Sequence, residues 1–156
     1  MTTLVATQYF DFEADFVEDN IRCIPMIVRF KLDACGIKLK LSEWSKLDSY
    51  EREVLANMTG DTGDEVVRYR SYLQGLILSR TGQPATLLPP TNKPGWSVLS
   101  DIPHSIKERI NELNKSITLR QWQRLTILQR FALFKLSSGG HEHKNFLKAL
   151  VEFNLA

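Results

Sequence analysis

Slid against itself by 78 positions, the chain matches without a gap over two 32-residue stretches. Ile24 to Leu55 reads IPMIVRFKLDACGIKLKLSEWSKLDSYEREVL, and Ile102 to Leu133 reads IPHSIKERINELNKSITLRQWQRLTILQRFAL. The identities are Ile24/Ile102, Pro25/Pro103, Leu41/Leu119, Trp44/Trp122, Leu47/Leu125, Arg52/Arg130 and Leu55/Leu133. An internal repeat restricts architecture more than any single motif does. Two copies are too few for a solenoid, so the expectation is one domain spanning 1–156, built from two pseudo-repeated three-helix halves.

Each copy opens on an Ile-Pro step, and proline suits a first helical turn because its missing N–H has no partner there anyway. Ile24, Ile27, Val28, Leu32 and Cys35 recur at helical spacing, as do Ile102, Ile106, Ile110 and Leu113. Gly36 and Asn114 fall where a left-handed cap ends a helix. A short I-x-L connector follows, then a W-x-x-L helix carrying Trp44/Leu47 or Trp122/Leu125. Asp48-x-x-Glu51 and Thr126-x-x-Gln129 read as capping boxes that start further helices near Ser49 and Ile127. A third helix closes each half. Thr62-x-x-Glu65 starts one, with Val66, Tyr69, Leu73, Leu76 and Ile77 as its apolar stripe. In the other, Phe146, Leu147, Leu150, Val151 and Phe153 form the stripe.

The fold class is therefore all-α, with about six or seven helices: half 1 over 21–80, half 2 over 102–156. Residues 81–101 join them and hold four of the six prolines, with Leu87, Leu88, Trp96, Val98 and Leu99 among them. So many apolar side chains predict an ordered connector lying on helices rather than a free linker. The acidic-aromatic arm, residues 1–20, fits neither the helical nor the strand period, and a short strand or extended arm is the expectation.

Charge is unevenly placed. Residues 1–22 carry Asp11, Glu13, Asp15, Glu18 and Asp19 against Arg22 alone, whereas from Pro103 onward nine Lys/Arg face four Glu. The ends either pair within the fold, which is the plainer reading, or each faces a partner. Two cysteines, Cys23 and Cys35, are too few for a disulfide framework. The opening MTTLVATQYF lacks the basic and apolar regions of a secretory signal, and no apolar run approaches a membrane span. A cytoplasmic protein that does not enter a membrane is expected.

No complete catalytic set is present, and the chain reads as a non-enzyme. Asp61-Thr62-Gly63 spells the aspartic-protease triplet, but it runs into a helix and the capping box accounts for it. TGDTGDE lacks the ligand alternation of a calcium loop, and the sequence holds no phosphate-cradling P-loop and no G-x-S-x-G elbow. Cys35 lies on an apolar stripe and reads as core; Cys23, beside Arg22, reads as boundary packing more readily than as an activated thiol. The basic second half invites a nucleic-acid reading, but its aromatics fall on apolar helical faces, and Trp122 matches Trp44 of the non-basic half. A helical nucleic-acid regulator is the weakest alternative.

His141-Glu142-His143-Lys144 is the most pointed feature, because two of the three histidines sit one residue apart. On a helix such a pair diverges by about 200°, so shared ligation needs an extended corner and further ligands such as His104, Glu142 or Cys23. A metal- or cofactor-binding protein using this corner is the second reading. The first is a corner between the last two helices that meets solvent or a partner. Its counterpart in the first half is the acidic turn Thr59–Glu65, so equivalent corners carry opposite chemistry.

The stretches FDFEADFVEDNIRCIPMIVRFKLDACGIKLKLSEW, Leu47–Leu55, TGQPATLLP and LQRFALFKLSSGGHEHKNFLKALVEF resemble the nitrate reductase-associated protein family, small cytoplasmic proteins best known from cyanobacteria. The likeness runs from about Phe10 to Phe153, with RCIPMIVRFKLD and GHEHKNF its most specific parts. It implies an accessory role for assimilatory nitrate reductase, an enzyme of molybdenum cofactor and iron–sulfur cluster. It brings no catalytic residues, no metal and no cofactor of the chain's own. The candidate partner contacts are His141, Glu142, His143 and Lys144 at the corner and Phe12, Glu13, Asp15 and Arg22 at the head.

Overall fold

The computed structural model describes residues 9–60, 62–89, 94–138 and 143–156. Two compact units divide the chain, Met1–Pro90 and Thr91–Ala156. The protein is mostly helical, with nine α-helices and one two-stranded sheet among the described residues.

In the first unit a 3-10 turn, Asp11–Glu13, runs into α1 (Ala14–Val17). From Asp11 to Val17 the head is helical rather than a strand or extended arm, while residues 1–8 of the arm lie outside the described residues; Phe10 and Phe12 stack on each other, with centroids 5.3 Å apart, and aromatic self-packing needs no regular period. Helix α2 (Met26–Cys35) starts after Pro25 and stops at Gly36, whose φ of 75 is the left-handed cap the sequence predicts. The I-x-L connector is not mere loop: β1 (Ile37–Lys38) pairs antiparallel with β2 (Thr86–Leu87), Ile37 opposite Leu87. That pairing, continued by the Leu88 N–H donating to the Gly36 carbonyl (2.8 Å), orders the start of the proline-rich stretch.

Helices α3 (Leu41–Trp44), α4 (Ser49–Asn57) and α5 (Gly63–Thr81) complete the unit. Asp48 and Glu51 satisfy each other's backbone N–H groups at the start of α4, and Thr62 and Glu65 do so at α5. The core is Val28, Leu32, Cys35, Trp44, Leu55, Tyr69, Leu73 and Ile77 with their neighbours. Polar groups close the open end of α4: the Tyr69 hydroxyl donates to the Leu55 carbonyl (2.8 Å) and the buried Lys31 ammonium to that of Ala56 (2.7 Å). A cation placed there also meets the negative end of the helix dipole.

In the second unit a 3-10 turn (Gly95–Ser97) precedes α6 (His104–Glu112), α7 (Leu119–Arg124), α8 (Ile127–Ser138) and α9 (His143–Glu152). Helix α8 is the hub, packing on α6, α9 and the Gly95–Ser97 turn. Its Phe131, Leu133 and Leu136 are buried, as are Ile106 and Ile110 of α6 and Phe146 and Leu150 of α9. Trp96 sits edge-on to Phe131 of α8, with ring centroids 5.3 Å apart.

The helix count exceeds six or seven because four- to six-residue turns such as α1, α3 and α7 are helices in their own right. One or two turns are enough to place Trp44 on α3 and Trp122 on α7, the W-x-x-L helices of the sequence, which the count of three helices per half leaves out.

Candidate partner-binding surfaces

The end of α8, ahead of the corner, is anchored by α6. Ser137, at the end of α8, is buried; its hydroxyl meets that of Ser105 (2.9 Å), and Arg109 Nη2 donates to the Ser137 carbonyl (3.2 Å). Two side chains of α6 therefore fix where α8 stops. His141 and Glu142 lie outside the described residues, and so does the side chain of His143, at which α9 begins. Lys144 is the corner residue that the structure describes, and it is exposed.

Helix α9 corrects the sequence reading. Phe146, Ala149, Leu150 and Phe153 face the core, but Leu147 and Val151 point away from it, 38% and 57% exposed. The five-residue stripe read from the sequence is wider than the face the core can cover. Both side chains share the outer face with Lys144 and Lys148.

The head is drawn inward at one point. Glu13, expected among the partner contacts, is 1% exposed, so it does not belong to the surface. One of its oxygens accepts the Phe10 N–H (3.1 Å) and the other the N–H of Met26 (2.8 Å). The carboxylate thus supplies a helix cap that Pro25 itself cannot give α2. Burial, then the Glu53 and Glu13 carboxylates, push the neighbouring Tyr9 phenol above its ordinary value. Phe12 is half-buried on Phe10, while Asp15 and Arg22 are exposed.

Arg22 pairs with Asp19 (2.9 Å) and approaches Cys23 Sγ at 3.8 Å. Both flank an unusual turn, in which Asn20 and Ile21 have φ of 53 and 50. A left-handed β-branched residue is a genuine outlier and costs about 1–2 kcal/mol. Two side chains hold it there: Trp44 Nε1 donates to the Ile21 carbonyl and Arg52 Nη1 to that of Asn20, both at 2.8 Å. The sequence flags Trp44 and Arg52 as repeat identities and leaves this task unstated. Cys35 is buried, and burial first of all raises its thiol, which fits core packing.

A shallow depression of about 330 Å³ runs along the outside of α4, lined by Tyr50, Glu53, Val54, Asn57 and Met58. At the acidic corner Glu65 is engaged by the Thr62 N–H and by the Thr59 hydroxyl. Among the described residues no group of three or more His, Cys, Asp or Glu is arranged to hold a metal ion, and the His141/His143 pair is not among them. No described helix is long and apolar enough to cross a membrane. The described surfaces include a basic, partly apolar helix face on α9 and an acidic-aromatic head.

No curated protein and no solved structure matches the chain. The sequence model of the conserved nitrate reductase-associated protein matches residues 9–153, nearly the whole length, and the chain belongs to that family.

Proposed function

We propose that this protein is a non-catalytic accessory factor of assimilatory nitrate reductase that works in the cytoplasm by binding the enzyme. The family match over residues 9–153 carries the reading. The absence of a catalytic set from the sequence is consistent with it. The factor binds the immature enzyme and assists cofactor insertion or holds the acceptor conformation. Its candidate contacts are the corner of His141, Glu142, His143 and Lys144 and, on the head, the half-buried Phe12 with the exposed Asp15 and Arg22. Immobilised full-length protein is expected to retain purified nitrate reductase, the cofactor-free form more strongly than the loaded one. Failure to retain either form, with normal enzyme activity after deletion of the gene, defeats the proposal.

We further propose that the two units are copies of one plan within a single domain. Supporting this, Arg52 lies over Trp44 with its guanidinium 5.8 Å from the ring centroid, and Arg130 lies over Trp122 at 6.0 Å, 78 positions on. Each tryptophan also donates to a carbonyl upstream, Trp44 to Ile21 and Trp122 to Val98 (3.0 Å). Limited proteolysis that releases one unit as a separately folded fragment counts against the single domain.

A further inference from the structure

Helix α9 is capped at its C-terminus, buried on one face and exposed on the other. Its C-terminus is closed by Asn154, at φ 62, with the Phe153 and Leu155 N–H groups returning to the Ala149 and Leu150 carbonyls. Its inner face is buried through Phe146, Ala149 and Leu150. At 100° per residue, Leu147 and Val151 form one outer ridge and Lys144 and Lys148 a parallel ridge beside it. Neither lysine has an ion-pair partner among the described residues. The surrounding unit carries ten Lys/Arg against five Asp/Glu over residues 91–156. Core packing does not account for two apolar side chains kept outside, one turn apart, next to two exposed cations. A preformed ridge of this kind is the geometry of helix docking, with anchors spaced i, i+4.

We propose that the outer face of α9 docks an acidic amphipathic helix of a partner protein, apolar side chains on Leu147 and Val151 and carboxylates on Lys144 and Lys148. This deepens the accessory-factor reading by naming the chemistry of the contact, and it rests on that reading only for the partner's identity. Charge complementarity selects the occupant. A second copy's α9 brings lysine against lysine. A duplex needs a longer row of cations to neutralise several phosphates, and a lipid surface needs a longer amphipathic helix or a denser basic patch than two lysines.

The probe is a 16-residue helical peptide with leucines at i, i+4 flanked on one side by glutamates; its control carries lysines instead. Titrated into isotope-labelled full-length protein, the acidic peptide is expected to shift amides of 144–151, and the lysine peptide to bind at least about tenfold more weakly. In K144E/K148E the preference reverses, and in L147S/V151S both peptides weaken. These side chains are exposed, so the fold tolerates the changes. No binding of the acidic peptide below about 1 mM, an unreversed preference, or shifts elsewhere overturns the proposal. So does a concentration-dependent dimer abolished by L147S/V151S, or tighter binding to phosphatidylserine vesicles or a DNA duplex. With purified nitrate reductase the two readings separate. Equal retention by wild type and both variants defeats the α9 proposal alone. No retention by wild type, alongside a reversed peptide preference, defeats the enzyme association alone.

Discussion

Arg52 and Arg130 stand 78 residues apart and spend their charge on backbone carbonyls. Arg52 donates to Asn20 (2.8 Å) and Ser45 (3.3 Å) from a half-buried position. Arg130, 8% exposed, donates to Trp96 (3.0 Å) and Leu125 (2.6 Å). Burial lowers the pKa of the Arg130 guanidinium, which remains charged at any ordinary pH. One residue type at one offset thus performs one task in two settings. The wetter site restrains a strained turn, and the drier one ties the Trp96 turn to the start of α8. The difference shows that an arginine flagged by sequence only as a repeat identity can be the fastening between a loop and its helices.

The comparison breaks most visibly at the drier site. Arg130→Ala strands two buried carbonyls and removes packing from Trp122, for an expected loss of about 3 kcal/mol. Arg52→Ala leaves carbonyls that water can reach and is expected to cost about 1 kcal/mol. Amide exchange read separately in each unit measures both, because two compact units need not unfold together. An Arg52→Ala loss equal to that of Arg130→Ala would show that burial does not set the ranking.

The helices that follow the Ile-Pro steps make a second contrast. Helix α2 takes its cap from Glu13, buried and thirteen residues upstream, whereas before α6 the exposed Asp101 accepts the N–H of the adjacent Ile102 (2.9 Å). Glu13→Ala leaves the buried N–H groups of Phe10 and Met26 without that acceptor and is expected to destabilise the first unit by about 2 kcal/mol. Glu13→Gln, retaining one oxygen, loses less. Denaturant midpoints of the two variants check the order, and equal midpoints for Glu13→Ala and wild type would remove the cap from the account.

The balance of legible and hidden structure follows from how far each cause acts along the chain. Asp48, Thr62 and Thr126 announce helix starts because a capping box closes within four residues. Gly36 and Asn114 likewise reveal helix ends through their own φ angles. Thr118 and Gln121 form one more box, readable by the same rule but passed over beside the tryptophan that follows. Glu13 could not be read, since its partner Met26 is fixed only by tertiary packing, and sequence sorted it with the surface acids. Leu147 and Val151 lie outside for the opposite reason: hydrophobicity at helical spacing says which residues can enter a core, and the packing of α9 on its neighbours decides which do. For the candidate site, residues 139–142 of the corner lie outside the described residues, and the apolar ridge of α9 became visible only when α9 was packed.

Gly36 and Asn114 sharpen the comparison at a smaller scale. Both are left-handed, at φ 75 and 57. A Cβ on Gly36 would meet the Leu88 carbonyl at 3.9 Å, an ordinary contact, so conformation and not collision sets the cost. Gly36→Ala is expected to lose about 1 kcal/mol, and Asn114→Gly to change stability by no more than a few tenths, since asparagine already tolerates this region. Thermal midpoints decide it; a larger loss at Asn114 would mean that its side chain does more than permit the turn.

The smallest effect belongs to Asp101. The hydrogen bond from Lys107 (2.9 Å), then the Ile102 N–H, then the lysine's charge, hold its carboxyl below the ordinary carboxylate value. A depressed pKa in the folded state means that its stabilising contribution is present above the unfolded value, near about 3.9, and is lost as pH falls through the lower folded value. Stability curves of wild type and Asp101→Asn should therefore separate above about pH 4 and converge below it. Lys107→Gln should move the Asp101 carboxyl titration, followed by NMR, back up toward the ordinary value. Because the pair is exposed, added salt should shrink the shift, whereas the buried Glu13 cap of α2 should be far less sensitive to salt. A salt-insensitive Asp101 titration would mean that the Ile102 N–H, and not the lysine, sets its value, and that the two helix starts differ less than their burial implies.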